Sequence, residues 1–229
     1  MIGTRMDTRL IIFDLDGTLL NTLEDLTDSL NAVLDAHGMP LHSKQAVKGF
    51  VGNGVRKLIE RAVPGGEDNP WFEMVLDENK AYYREHMDIK TVPYPGVLRA
   101  LEKLKEAGYK TAIASNKYDT ATQGLKEKFF ADSIDAALGD GVVATKKPQP
   151  EIIYELMRRL DITKPKNVLY VGDSDVDIQT AANAGIGCIS VSWGFRTASF
   201  LKEHGADVII DRAGKLPEAV EMYFQKKSK

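Results

Sequence analysis

The stretch Leu10-Ile11-Ile12-Phe13-Asp14-Leu15-Asp16-Gly17-Thr18 decides how the rest of the chain is read. Four apolar residues without polar alternation are the pattern of a strand buried on both faces. The run is far shorter than the ~20 apolar residues that span a bilayer, and it stops on Asp14. Asp14 and Asp16 are two residues apart, so an extended backbone turns both carboxylates to one side. Gly17 then permits the turn that carries the chain away.

Further along, short apolar runs recur at Thr111–Ala114, Val168–Val171, Cys188–Val191 and Val208–Ile210. Amphipathic stretches lie between the later ones: Val97–Ala107, Pro150–Leu160 and Ile178–Ala184. Apolar strands alternating with helices predict an α/β chain with a doubly wound parallel sheet. One interval departs from the alternation. From Thr22 to about Lys90 helix follows helix, an insert of roughly 70 residues and a plausible domain by size. Thr22 is expected to cap its first helix, ahead of Glu24 and Asp25. Gly38-Met39-Pro40 closes that helix, Pro64-Gly65-Gly66 punctuates the middle, and Trp71 to His86 forms a long helix. Val92-Pro93-Tyr94-Pro95-Gly96 resets the chain before the alternation resumes.

Composition narrows the function. The chain has 229 residues, 43% of them hydrophobic, and a formal net charge of −3 from 30 basic and 33 acidic residues. This balance gives no reason to expect a nucleic-acid partner or an anionic membrane surface. Met1 to Arg9 lacks the apolar core of a signal peptide, and Met6 offers a second start that would make the first five residues dispensable. A cytoplasmic protein is expected, with a monomer slightly favoured over a homodimer. The single cysteine, Cys188, excludes an intrachain disulfide and is expected to be buried and inert. Gln225 to Lys229 reads as a short basic fray. His37, His42, His86 and His204 are scattered without metal-ligand spacing and are expected on helix surfaces. Trp71, Phe72, Tyr82 and Tyr83 are expected to form the core of the insert.

Open α/β sheets bind ligands beyond the carboxyl ends of their strands. Those ends carry Asp14-Leu15-Asp16-Gly17-Thr18, Ser115-Asn116-Lys117, and Gly172-Asp173-Ser174-Asp175-Val176-Asp177. Several carboxylates thus gather with a hydroxyl, an amide and an ammonium. Mutually repelling carboxylates need a cation, and oxygen ligands without His or Cys suit magnesium rather than zinc. A calcium loop is excluded, because Asp25 stands where the twelfth-position Glu is required and the segment follows a strand. A plain acidic turn explains Asp14 to Thr18 alone, but not three strand ends that agree. Asp175 reads as a surface residue or a helix cap.

These residues resemble the haloacid dehalogenase superfamily, whose signature is a strand ending in Asp-x-Asp-Gly-Thr. Ser115 resembles its second motif, Lys147 before Pro148 its third, in preference to Lys146, and Gly172-Asp173 with Asp177 its acidic fourth. The resemblance implies a Rossmann-like core at residues 1–20 and 93–229, with a helical cap domain at 21–92. It also implies a magnesium-dependent phosphohydrolase. Asp14 is then the nucleophile that forms an aspartyl-phosphate. Asp16 is the general acid and base. Lys147 and Ser115 stabilise the transferring group. The metal site is drawn from Asp14, Asp16 (through its carbonyl), Asp173 and Asp177, with Asp177 orienting waters or Lys147 rather than ligating.

The loop Val51-Gly52-Asn53-Gly54-Val55-Arg56, with Tyr94-Pro95-Gly96, Ser115-Asn116-Lys117 and Ser192-Trp193-Gly194-Phe195, resembles the phosphoglycolate phosphatase branch. Ser115, Asn116, Asn53, Gly54 and Arg56 are accordingly expected to contact the substrate, a small phosphorylated metabolite. A guanidinium at Arg56 matches the two oxygens of a carboxylate, although an exposed arginine on a helix is an equal reading. Asn21 stands where much of this branch carries Asp, at the hinge of the insert. A pyrophosphatase, a sugar-phosphate mutase and a non-catalytic binding module remain alternatives. The intact set Asp14, Asp16, Lys147 and Asp173 argues against the last.

Overall fold

The structure is a computed structural model and describes residues 8–227; Met6 and the last two residues lie outside them. In chain order the strands and helices are β1 (Leu10–Phe13), β2 (Leu20–Asn21), α1 (Leu23–Ala36), α2 (Lys44–Phe50), α3 (Val55–Ala62), α4 (Phe72–His86) and β3 (Val92–Pro93). There follow α5 (Val97–Glu106), β4 (Lys110–Tyr118), α6 (Asp119–Phe130), β5 (Ala136–Asp140), α7 (Glu151–Arg159) and β6 (Val168–Gly172). The chain ends with α8 (Asp175–Asn183), β7 (Gly187–Val191), α9 (Ala198–Glu203), β8 (Ile209–Ile210) and α10 (Leu216–Lys227). The tail expected to fray from Gln225 is therefore helical through Lys227.

Six strands form one sheet in the order β5-β4-β1-β6-β7-β8, and every pairing in it is parallel. The α/β class and doubly wound sheet read from the sequence are thus observed. β1 is central, and its alternate residues serve two cores. Ile11 and Phe13 pack with Leu101, Leu104, Val220 and Phe224, from α5 and α10. Leu10 and Ile12 pack on the other face with Ile152, Ile153 and Leu156 of α7. Burial of each such side chain contributes about 1.5–3 kcal/mol, which explains why β1 tolerates no polar residue until its end. The chain passes to β4 on one side of β1 and to β6 on the other, so the sheet's switch point lies where Asp14 emerges. That crevice is where such sheets bind ligands.

Between β2 and β3 lie α1 to α4, with a core of their own that includes Leu30, Val33, Leu58, Ile59, Val75 and Leu76. The chain enters and leaves this helical unit through a two-residue antiparallel ribbon, Leu20 opposite Pro93 and Asn21 opposite Val92. Buried Asp25 ties the two connections together: its carboxylate accepts from the backbone N–H groups of Lys90 and Thr91 at 3.0 and 2.8 Å. Of the aromatic residues expected in this core, Phe72 and Tyr83 are buried. Trp71 is 55% exposed and Tyr82 37%, because helical periodicity turns them away from α1 and α3. Arg196, after β7, latches the unit from the sheet side by donating to the carbonyls of Lys48 and Val51, both at 3.1 Å.

Cys188 is half-buried at the edge of the α7 cluster, and burial pushes its thiol up, which keeps it inert. His42 departs from the helix-surface expectation. It sits half-buried in the loop before α2, its ring paired with the Ala62 carbonyl at 2.7 Å.

Candidate active site

Three strand ends meet at the switch point. Asp14 leaves β1 with its N–H bonded to Val171 of β6 at 2.9 Å. Its Oδ1 accepts from Lys147 Nζ at 2.9 Å. The same ammonium donates to Asp177 Oδ1 at 2.8 Å and to the Tyr170 hydroxyl at 2.9 Å. All three N–H groups of Lys147 are thereby used inside the protein, and its own pKa is raised well above the usual lysine value by Asp14 and Asp177 despite an opposing desolvation effect that is larger than either. Lys146 instead pairs with Asp140 at 2.7 Å, so the lysine adjoining Pro148 is the one at the site.

Asp177 has no oxygen to spare. Its Oδ2 accepts from the Ser174 N–H and hydroxyl at 3.1 and 2.6 Å, and the Ser174 hydroxyl accepts in return from the Asp177 N–H, a capping box that starts α8. One carboxylate therefore both fixes the helix and aims Lys147. Asp175, in the first turn of α8, is half-exposed and caps nothing; Ser174 holds that position.

Asp173 accepts from Thr18 Oγ1 at 3.2 Å and from the Phe195 N–H at 2.6 Å. It is enclosed by Gly17 and Gly194, at both of which an added Cβ would collide with its carboxylate. Gly17 also adopts φ +87°, where side chains other than glycine are strained. The Trp193 indole N–H closes the arrangement on the Thr18 carbonyl at 3.0 Å.

Asp14, Asp173 and Asp177 each offer a ligand atom, all within 4.8 Å of one another. Burial, opposed by Lys147 and reinforced by Asp177 and Asp16, pushes Asp14 up to about 7. Asp173 is also raised, by burial first and then by repulsion from Asp177 and Asp14. Three buried carboxylates thus lie together with one ammonium that pairs with only two of them, Asp14 and Asp177, and a divalent cation with an all-oxygen preference fits the deficit. The commitments of Asp177 leave Asp14 and Asp173 as the side chains able to hold it.

Asp16 stands slightly apart. Its Oδ1 accepts from Thr22 Oγ1 at 2.6 Å and lies 3.2 Å from Lys117 Nζ. Thr22 occupies the N-cap position of α1 but makes no side-chain cap bond; the hydroxyl expected to cap the helix serves Asp16 instead. Asp14, Asp16 and Ser115 line one cavity of about 50 Å³, closed from the helical side by Gly54, Asn79 and Tyr83 among others.

A sequence profile of the haloacid dehalogenase-like hydrolases matches residues 11–191. The chain belongs to this family. A phosphoglycolate phosphatase of Mesorhizobium japonicum is 36% identical over 198 residues, 83% of this chain and 85% of that one. Another, of Neisseria meningitidis serogroup A, is 33% identical over 228 residues, 96% and 95% of the two chains. Among solved structures, a protein of Lactobacillus delbrueckii subsp. bulgaricus described as a candidate phosphoglycolate phosphatase gives a TM-score of 0.88 at 37% identity, over 94% of this chain and 99% of that one. This haloacid dehalogenase-like hydrolase is thus a phosphatase of the phosphoglycolate phosphatase branch.

The residues expected from the sequence divide by strand and helix. Asp14, Asp16, Ser115, Lys147, Asp173 and Asp177 converge at the sheet edge. Gly54 and Asn116 line the cavity, yet the Asn116 side chain is committed to backbone. It accepts from Lys147 N at 2.9 Å and donates to the carbonyls of Lys147 and Gly52 at 3.1 and 3.2 Å. Asn116 therefore positions Lys147 rather than offering its amide to substrate. Asn53 accepts from Arg61 at 2.8 Å. Arg56 is drawn to Glu73 and Glu67, at 2.5 and 3.5 Å, over the Phe72 ring. Neither Asn53 nor Arg56 lines the cavity, and the expected carboxylate contact at Arg56 is replaced by these two glutamates. Tyr170 and Tyr83 join the site although no role there is expected of them, and Lys117, the ammonium expected at this strand end, reaches Asp16 and Tyr83. Tyr170 carried a signal, since a tyrosine inside an apolar strand must find a partner for its hydroxyl.

Proposed function

We propose that this phosphatase removes the phosphoryl group of a small phosphorylated metabolite, with 2-phosphoglycolate the leading substrate, through an aspartyl-phosphate on Asp14. The observation that carries the reading is the Asp14 carboxylate, held at 2.9 Å by a fully committed Lys147 and lining one cavity with Asp16 and Ser115. Lys147 orients the attacking oxygen and screens its charge from the incoming phosphoryl group. Asp16, on the same side of the chain, protonates the leaving alkoxide and then takes a proton from the attacking water. The Ser115 hydroxyl, which accepts from the Lys117 N–H at 3.2 Å, keeps its own proton to donate to a phosphoryl oxygen.

Asp14 and Asp173, with the Asp16 carbonyl, would hold magnesium, which supplies charge neutralisation for the phosphoryl oxygens. Residues 21–92 act as a cap in this reading. They wall off water and contact the leaving group, in a cytoplasmic protein for which a monomer is the expected state. Among the described residues no helix is long and apolar enough to cross a membrane.

The test is phosphate release from a panel of phosphorylated metabolites with magnesium. Release from 2-phosphoglycolate is expected. Asp14→Asn should keep the circular-dichroism spectrum and lose on the order of 10⁴-fold or more in turnover, as removal of a nucleophile does. Near-wild-type turnover in that variant would sink the mechanism.

A further inference from the structure

The cavity in front of Asp14 has two unlike ends. The sheet supplies the phosphoryl end, with Asp14, Asp16 and Ser115. At the other end α4 presents Asn79 and Tyr83, four residues apart and so on one face of the helix. Lys117 reaches from β4 to the Tyr83 hydroxyl at 2.9 Å, with its ammonium over the ring.

Asn79 is the anomaly. It is 3% exposed, and its Nδ2 has no hydrogen-bond partner. Leaving a buried donor unpaired costs about 1–3 kcal/mol, and folded chains pair the large majority of such groups. Here the unpaired donor lines a cavity beside other unused ones. Lys117 directs two of its three N–H groups at Asp16 and Tyr83. Tyr83, accepting from Lys117, keeps its own proton to give. The rest of the wall on this side is apolar, including Leu26, Val55 and Leu58. Donors from three side chains, one of them cationic, thus face this end of the cavity, and the carboxylates that line it, Asp14 and Asp16, stand at the other end. A compact anion with two oxygens matches this end, whereas a neutral hydroxyl would leave donors unpaired.

We propose that Asn79, with Tyr83 and Lys117, is the specificity site for a carboxylate on the leaving group, selecting phosphorylated hydroxy acids over neutral phosphate esters of equal size. The inference rests on the phosphatase reading above and adds which residues choose the substrate.

The experiment compares 2-phosphoglycolate with 2-hydroxyethyl phosphate, its neutral counterpart, in the wild-type chain and in Asn79→Leu and Asn79→Asp. Leucine approximates the shape of asparagine and removes a donor that had no partner, so Asn79→Leu should fold with an undiminished Tm, which a structural role for the amide would not allow. It should raise KM for 2-phosphoglycolate about 10–100-fold, the equivalent of one lost hydrogen bond to a charged group. KM for the neutral ester should move less than about 3-fold by the same reckoning. Asn79→Asp sets a like charge against the substrate and should raise the first KM further. A wild-type preference for the neutral ester, or equal effects on both esters, overturns the specificity site while the phosphatase reading stands. If the wild-type chain releases phosphate from no ester, that reading fails, and calorimetric binding of 2-phosphoglycolate decides alone: binding weakened by Asn79→Asp supports the site, and binding that is absent or unchanged overturns it.

Discussion

Lys147 and Asn79 are both buried polar residues of the candidate site, one bonded to Asp14 and the other lining the cavity in front of it, and they are satisfied to opposite degrees. Lys147, on the sheet side, gives each N–H to a protein acceptor at 2.8–2.9 Å. Its backbone is gripped by Asn116 as well, which accepts from its N–H and donates to its carbonyl. Asn79, on the helical side, has a donor with no partner. The difference separates two tasks. On the proposed mechanism, the groups that would act on the phosphoryl group are already paired in the structure, so little reorganisation is left to the reaction itself. The groups proposed to face the rest of the substrate are left incomplete, for a ligand to complete. Breaking the sheet side should therefore damage stability and turnover together, and changes on the helical side should damage selectivity without unfolding the chain.

The largest effect is expected at Lys147. Lys147→Met keeps the length of the side chain and removes the only ammonium among Asp14, Asp173 and Asp177. Breaking a buried ion pair from one side costs about 3–5 kcal/mol. Urea denaturation in metal-free buffer should show a loss of that size, and turnover should fall with it. A variant as stable as the wild type would mean that the carboxylates do not depend on Lys147.

A second effect concerns pH. Asp14 in the folded chain is pushed up from 3.8 to about 7, and Asp173 is raised too. Between about pH 4 and 7 the folded chain therefore holds a proton at Asp14 that the unfolded chain has released. Stability of the metal-free protein is thus greatest at the acid end of this window, falls as pH rises through it, and no longer changes on account of Asp14 above it. Asp14→Asn is neutral throughout and should flatten the slope, by up to a few kcal/mol at pH 8. Magnesium should steady the wild-type chain in the same upper range, where Asp14 is anionic, and do less for the variant. Tm measured against pH, with and without magnesium, reads all of this. A wild-type slope of the opposite sign would refute the assignment of Asp14 as a proton-holding carboxylate.

How much of this was legible in the sequence follows the same division. β1 stands out as an uninterrupted apolar run, and β4, β6 and β7 as short, mostly apolar ones, because a strand buried on both faces admits few polar side chains. Their ends stand out since a carboxylate or serine directly after such a run has a fixed place, the carboxyl edge of the sheet. β5 was not legible: Ala-Ala-Leu-Gly-Asp has weak strand propensity, and what makes it a strand is pairing with β4, Ala136 beside Ala112 and Leu138 beside Ala114. The ribbon of β2 and β3 is two residues long on each side and leaves no periodicity to find. On the helical side, periodicity gives the buried face of α4 but not which buried polar residue opens onto a cavity, because that depends on how the unit is set against the sheet. Tyr83 reads as core and is buried, whereas nothing in the sequence singles out Asn79; only the three-dimensional arrangement shows that both line the cavity.

Arg56 gives the sharpest test of the helical side, because the expected effect there is nearly none. The sequence offers it for a substrate carboxylate, since a guanidinium matches two oxygens, with an exposed helix arginine as an equal reading. The structure meets that preference internally, with Glu73 and Glu67 holding the guanidinium at the surface. Arg56→Ala should then change KM for 2-phosphoglycolate less than about 2-fold and cost no more than about 1 kcal/mol, as exposed ion pairs do. Asn79→Leu changes no charge, and yet it is expected to move KM far more. If instead Arg56→Ala raised KM tenfold while Asn79→Leu did nothing, the helical unit would have to close in a way that frees Arg56 from both glutamates and carries it into the cavity. The ranking of these two variants thus decides whether the selective wall is the one already in place on α4 or one assembled only when substrate binds.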